Sequence, residues 1–426
     1  MTSTAAAPAL HLVHANSASG SAEAAARPAP SLRLHSPELR ALLTDIAVGA
    51  SQRERERIAP HAQIRQLVDA GLTRLRLPVE EGGAGASLPE LFAFLIELAE
   101  ADSNVAHILR VHYWFVEVQL QRPRTDPRRA ANVALLNDGH VLGNAFSEQS
   151  ARAVGLHFDT ALTREPSGDG WRLNGRKYYS TGSLFATWTQ VFASTADGRI
   201  AAATIPVDRD GLVLEDDWDG FGQRLTGTGT TRLDDVFVHD SEVEDLGDPD
   251  DQTVPSYQYA FLQLYLQAVT AGILRAVRND AVALVQRRKR NFAYSKAAPT
   301  ADPQVLQVVG EIAADAFTAE TLVLAAAEAI ARAAESVRDG IPDPALAVRA
   351  QIAAAQAKVA IDRFAPLTAS RLLDAGGASA TQSVHNLDRH WRNVRTISTH
   401  NPAFSKATAI GDFLVNGTPP PLNAYF

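Results

Sequence analysis

The 426-residue chain contains no cysteine, and its one methionine is Met1. Without thiols there can be no disulfides, thiolate zinc sites, iron–sulfur clusters, cysteine nucleophiles or redox-active Cys pairs. Cations are also in deficit: 40 Lys and Arg stand against 48 Asp and Glu, a net charge of −8. That balance argues against nucleic acid as a partner, since such binders carry a basic patch or stripe. The sequence reads as having no apolar run of the roughly 20 residues that span a bilayer, so no membrane is expected. No His/carboxylate spacing points to a metal, and no glycine-rich phosphate loop follows a strand, so no nicotinamide site is expected. With apolar residues at 46%, the chain can bury a large core in two or three domains. A cytoplasmic protein is expected, and its harder chemistry would need an organic cofactor or His and carboxylate groups.

Composition divides the chain into four parts. Residues 1–35, rich in Ala, Ser and Pro, read as a disordered tail that is a poor secretory signal. Residues 36–140 read as a helical domain. Ser36 before Pro37 is an N-cap signature, and Ser87-Leu88-Pro89-Glu90 is a capping box. The run Arg53 to Arg57 reads as a solvated helix face. Residues 141–252 alternate β-branched and aromatic stretches with turn pairs such as Asn174-Gly175, giving an antiparallel β-domain. Residues 253–426 return to long apolar stripes of 3.6-residue period, starting at Tyr257, Val305 and Leu346. The Ala-rich faces suit a tight four-helix bundle.

Three segments carry a resemblance. They are Gly143-Asn144-Ala145-Phe146-Ser147-Glu148-Gln149, Trp171 to Gly182 with its Trp-x-Leu-Asn-Gly-x-Lys hairpin, and Gly222 to Thr230 running into Asp234-Asp235-Val236. In this order and spacing the chain resembles the acyl-CoA dehydrogenase superfamily over nearly everything from residue 36 onward. The implied fold is α+β: N-terminal helices, a middle β-domain and a C-terminal four-helix bundle. A dehydrogenase of that family needs a carboxylate base. The stripe on the helix from Tyr257 offers only Gln263 and Tyr265, and His400 stands where a C-terminal Glu would be. The segment Asp388 to Thr396 with His400-Asn401-Pro402 instead resembles the flavin-dependent monooxygenases of this superfamily, the dibenzothiophene monooxygenases among them. These take reduced flavin from a separate reductase, bind oxygen at flavin C4a and pass one atom to the substrate.

That resemblance implies FMNH2, or FAD, with O2 as cosubstrate, a separate NAD(P)H:flavin reductase and a homotetramer. It implies catalytic roles for His112, His400, Asn144 and Ser180. A His of near-neutral pKa can hold or donate the proton this chemistry needs. Flavin-side roles fall to Ser147, Tyr179, Thr181, Ser183 and Trp218. Arg290, within Arg287 to Arg290, matches an arginine that binds flavin phosphate from a neighbouring subunit, and Gly377 permits close approach. Ser379 stands where the family places a second arginine. Each residue has a plainer reading. His112 shares the apolar face of Ile108 and Phe115, as a satisfied core His would. Trp218 suits a β-domain core, and the basic run a helix C-terminus. Aromatic residues around Phe115 and Phe146 suggest a small hydrophobic substrate, oxidised at S, N or an electron-rich carbon. The alternatives are an FAD-dependent acyl-CoA dehydrogenase or oxidase and a non-catalytic flavin-fold binding protein.

Overall fold

The computed structural model describes residues 33–150, 155–251, 255–292, 295–423 and 426. The expected tail before residue 33 therefore lies outside the described residues. Seven helices come first: α1 Pro37–Ala47, α2 Ala50–Glu56, α3 His61–Asp69, α4 Leu88–Ala101, α5 Ser103–Ile108, α6 Arg110–Gln121 and α7 Pro127–Asn137. The helix starts follow the sequence signals. The Leu39 N–H donates to Ser36 Oγ at 3.1 Å, and both arms of the Ser87–Glu90 box form. Such caps satisfy amides that have no partner within the helix.

Eight strands follow: β1 Leu142–Ala145, β2 Ala161–Arg164, β3 Trp171–Ser180, β4 Trp188–Thr195, β5 Ile200–Pro206, β6 Leu212–Leu214, β7 Gly229–Val238 and β8 Val243–Gly247. They form one sheet in the order β6-β7-β3-β2-β4-β5-β8, with β1 also on β4. The sheet is mixed rather than purely antiparallel, because β1 and β2 both run parallel to β4. The alternation of apolar and polar residues reports burial, not strand direction. A shift of register between Lys177 and Ser180 marks a bulge in β3, where Tyr179 adopts φ +60°.

The last part holds α8 Gln258–Arg287, α9 Pro303–Glu335 and α10 Pro344–Gly376, with the shorter α11 Arg389–Ser398 and α12 Ala403–Asn416. By length and composition α8 would suit a bilayer, which the sequence reading did not anticipate. Yet 89% of its apolar window is buried inside the protein. One apolar core runs from α1 and α4 through α8, α9 and α10.

Polar contacts fix the domains to one another. The run from Arg53 is only partly solvated. Arg53 donates to Asp102 at 2.9 Å, and Glu54 accepts from Arg392 and Asn386. Both Arg53 and Glu54 are buried. Asp280 on α8 accepts from Arg389 at 2.9 Å and His390 at 2.8 Å. Burial alone would raise its pKa, but the His390 bond and these neighbours hold it down at about 2. His112 is fully buried. Its Nε2–H donates to Thr73 O at 2.9 Å, and its Nδ1 accepts from the Leu142 N–H at 3.2 Å. The imidazole therefore ties α6 to the turn after α3 and to the start of β1. Lys177, also fully buried, donates to Glu148 at 2.6 Å and Phe146 O at 3.1 Å. It anchors the segment after β1 onto β3.

Two predictions follow from these contacts. Removing one partner of a buried pair leaves the other charge uncompensated. Glu148→Gln should therefore lower unfolding stability by about 3–5 kcal/mol in denaturant titration, and the double variant with Lys177→Met should recover much of it. Burial lowers the pKa of His112 and His390 to about 4. The unfolded chain binds protons near pH 6.5 that the native chain refuses. Their contribution should be complete above pH 6.5 and decline as pH falls towards 4, measured by denaturation midpoints at each pH.

Candidate active site

Loop 218–228 of the β-domain lies against the α5–α6 junction on one side and α11 on the other. Gln223 sits at the centre, 2% exposed and in the left-handed region at φ +50°. Its backbone N–H donates to Asn393 Oδ1 at 2.6 Å. Its side-chain amide donates to Ser103 Oγ at 3.3 Å. Its Oε1 accepts from His107 Nδ1 at 2.9 Å, and its carbonyl accepts from Trp218 Nε1 at 3.0 Å. Leu225 N–H reaches Asn104 Oδ1 at 3.2 Å. Beside it, a Cβ on Gly222 would lie 2.1 Å from Arg392 O, so only glycine permits this approach.

The structure thereby separates two histidines five residues apart. Both nitrogens of His112 are used by backbone groups, which leaves none for chemistry. This corrects the catalytic expectation for His112 in favour of its plainer reading. His107 is the residue that reaches the junction. Its Nδ1–H is held by Gln223, and its buried Nε2 has no partner among the described residues. Burial, then the charge of Arg110, lowers its pKa to about 4, so the ring is neutral and Nε2 carries a bare lone pair. Sequence reading passed over it. The available signal was Ser103, Asn104 and His107, polar groups at helical spacing in an otherwise apolar stretch.

His400 follows α11 and approaches the same place. Arg110 Nη1 lies 3.4 Å from His400 Nε2, and Arg110 Nε donates to Leu262 O at 3.1 Å. His400 is exposed by area yet enclosed by enough protein to lose much of its hydration. That desolvation, then Arg110, His107, Lys358 and Lys406, keeps its pKa well below the ordinary value. On α8, Gln263 accepts from Asn401 at 2.7 Å and the Tyr265 hydroxyl donates to Ala106 O at 2.8 Å. Among the described residues no carboxylate base stands there.

Around the β3 bulge, Tyr179 is 56% exposed and meets Trp218 edge-on, with centroids 6.3 Å apart. The Thr181 hydroxyl bonds Thr228 at 2.8 Å, and Thr228 bonds Thr226 at 2.7 Å. Ser183 donates to Asn144 O at 3.3 Å, joining the end of β1 to the turn after β3. Ser147 O accepts from the Tyr178 N–H at 2.8 Å. Ser180 does not join this surface. The bulge turns it inward, where it is buried and accepts from Thr231 at 2.9 Å, so the expected catalytic role is not supported. In the basic run, Arg288 rather than Arg290 reaches the glycine turn. Arg288 Nη1 donates to Ala375 O at 2.8 Å, and Gly377 has φ +67° beside it. Arg290 is exposed.

Comparison with known proteins fits this geometry. The acyl-CoA dehydrogenase N-terminal domain matches residues 39–126, and the C-terminal domain of the same family matches residues 264–403. The chain is 30% identical over 400 residues to the probable FMNH2-dependent monooxygenase SfnC of Pseudomonas putida, covering 91% of this chain and 96% of that one. It is 28% identical over 395 residues to a dibenzothiophene monooxygenase of Rhodococcus qingshengii, covering 87% and 90%. FMN-bound TdsC from Paenibacillus sp. A11-2 superposes with a TM-score of 0.82 at 28% identity, covering 91% of this chain and all of that one. With the family's N- and C-terminal domains matched in order and monooxygenase relatives aligned over about nine-tenths of its length, the chain belongs to the flavin-dependent monooxygenases of the acyl-CoA dehydrogenase superfamily.

Proposed function

We propose that this enzyme uses reduced FMN from a separate NAD(P)H:flavin reductase, together with O2, to oxygenate a small organic substrate at the Gln223 junction. The observation that carries the reading is the orphaned Nε2 of His107 beside His400. A buried acceptor without a partner costs about 1–3 kcal/mol, and it is retained where a bound molecule supplies the missing hydrogen bond. The residues also fit a flavin. Tyr179 and Trp218 offer aromatic surface, Thr181 and Thr228 offer hydroxyls, and Arg288 with Gly377 forms a cationic turn. A bound FMN supplies the electrons that activate oxygen.

The protein's part is to place and hold protons. His107 Nε2 accepts or holds a proton at the reacting centre, and Gln223 fixes its tautomer. His400 works from the opposite wall, kept neutral by desolvation and then by Arg110. Asn144, Thr181 and Ser183 form the flavin-side surface, which the glycine-permitted approach of Gly143 to Ser183 brings close. Arg290 is free to serve a neighbouring subunit. Exposed Leu306 and Phe317 on α9, and Phe404, Leu414 and Val415 on α12, are the apolar patches that a homotetramer would cover. Cytoplasmic location follows from the supply of reduced flavin. The dehydrogenase alternative lacks its base, since Gln263 and Tyr265 are already engaged.

Rapid mixing with reduced FMN and then O2 tests this. Bound FMN should reoxidise more slowly than free FMN, with less peroxide released once substrate is present. Reoxidation at the free-flavin rate would overturn the reading. His107→Ala should cut oxygenated product by about 10²-fold or more while FMN affinity stays within about twofold. His112→Ala should lower stability instead.

A further inference from the structure

The hydrogen bonds around Gln223 start from an atom whose role cannot be reversed. A backbone N–H only donates, so the Gln223 N–H, at 2.6 Å, fixes Oδ1 of Asn393 as its acceptor. The other arm of that amide, Asn393 Nδ2, then donates to Ser103 Oγ at 3.3 Å. Ser103 Oγ also accepts from Gln223 Nε2 at 3.3 Å, and the remaining arm, Gln223 Oε1, meets His107 Nδ1 at 2.9 Å. An amide has one donor arm and one acceptor arm, whereas a hydroxyl acts either way. Ser103 is therefore the link that decides the direction of the chain. If its hydrogen pointed at Gln223, that amide would turn over, present Nε2 to His107 Nδ1 and leave the ring hydrogen on His107 Nε2.

The surroundings of Ser103 select the other direction. Ser103 opens α5, held by Asp102, which accepts from the Asn104 N–H at 3.0 Å and from Arg53 at 2.9 Å. It is buried, and with two amides on its two lone pairs its hydrogen is left to point elsewhere. Ser103 lines a polar cavity of about 40 Å³ together with Glu54, Asp102, Asn104, His390 and Asn393. A water needs roughly 10–15 Å³, so an acceptor for that hydrogen fits. Two of the lining groups are carboxylates. Burial would raise the pKa of Glu54, but bonds from Arg392 and Asn386 hold it below the ordinary value. Negative charge on this side draws the hydroxyl hydrogen into the cavity and away from Gln223.

We infer that Ser103 and Asn393 are positioning residues that act through Gln223 to keep hydrogen on His107 Nδ1 and leave Nε2 bare. The inference rests on the monooxygenase reading for the use made of that bare nitrogen. It explains why α11, on the far side of the loop, governs a ring in the N-terminal helices that it does not touch through any listed bond of its own side chains other than Asn393.

Imidazole ¹⁵N–¹H NMR of the full-length protein at neutral pH tests this without turnover. Ser103→Ala removes the shared acceptor of both amides. The ratio of Nδ1–H to Nε2–H forms of His107 should fall at least tenfold, while His112, whose partners are backbone groups, keeps its tautomer. Ser103→Thr restores a hydroxyl and should recover the wild-type ratio. A His107 ratio unchanged by Ser103→Ala would overturn the inference. Equal loss in Ser103→Ala and Ser103→Thr would also overturn it, by assigning the effect to packing. So would a wild-type His107 with hydrogen on Nε2, whether or not either variant folds. Reoxidation of bound FMN is read separately. A wild-type rate equal to that of free FMN, with the tautomer shift intact, would reject the monooxygenase reading and leave the positioning of His107 standing.

Discussion

The amide of Gln223 spends every polar atom on a junction among three domains. It reaches Ser103 and His107 in the N-terminal helices, its backbone reaches Asn393 in α11, and its carbonyl holds Trp218. The residue adopts a left-handed backbone conformation, which a non-glycine residue keeps only when its surroundings enforce it. Loss of any one contact would leave a buried polar group unpaired, at about 1–3 kcal/mol. The site geometry depends on this arrangement, because Gln223 selects which nitrogen of His107 carries hydrogen and which is left bare.

Electrostatics set the character of the same place. His107 and His400 are both kept neutral, mainly by desolvation and then by Arg110. A neutral imidazole with a bare nitrogen can accept a proton there. Three ion pairs among the described residues are structural by contrast. Glu54 with Arg392, Asp280 with Arg389 and His390, and Glu148 with Lys177 all hold one segment to another.

Much of the fold was legible in the sequence because capping and periodicity are local. Ser36, Ser87 and the stripes of α8 to α10 could be read from their neighbours alone. The site was less legible, because its signals are not local. His107 and His112 lie in one apolar stretch, and periodicity cannot say which ring finds backbone partners across the domain boundary. Alternation along β3 sets Ser180 on the face opposite Tyr179 and Thr181, and only the bulge at Tyr179, which alternation does not show, decides that this face is the buried one. The run from Arg53 looked solvated because Asp102 lies 49 residues from Arg53 and Arg392 lies 338 residues from Glu54 in sequence. Direction in the sheet was hidden for a similar reason: β1 and β2 find β4 only through tertiary packing.

The assignment of His107 over His112 is tested most directly by the hydrogen positions on the two rings. Long-range ¹⁵N–¹H NMR of the imidazole-labelled protein, assigned with His107→Gln and His112→Gln, reports each tautomer. His107 should carry hydrogen on Nδ1 with a bare Nε2, and His112 should show the opposite, with both rings neutral at pH 6. A His107 with hydrogen on Nε2, or one that titrates near 6.5, would contradict the assignment.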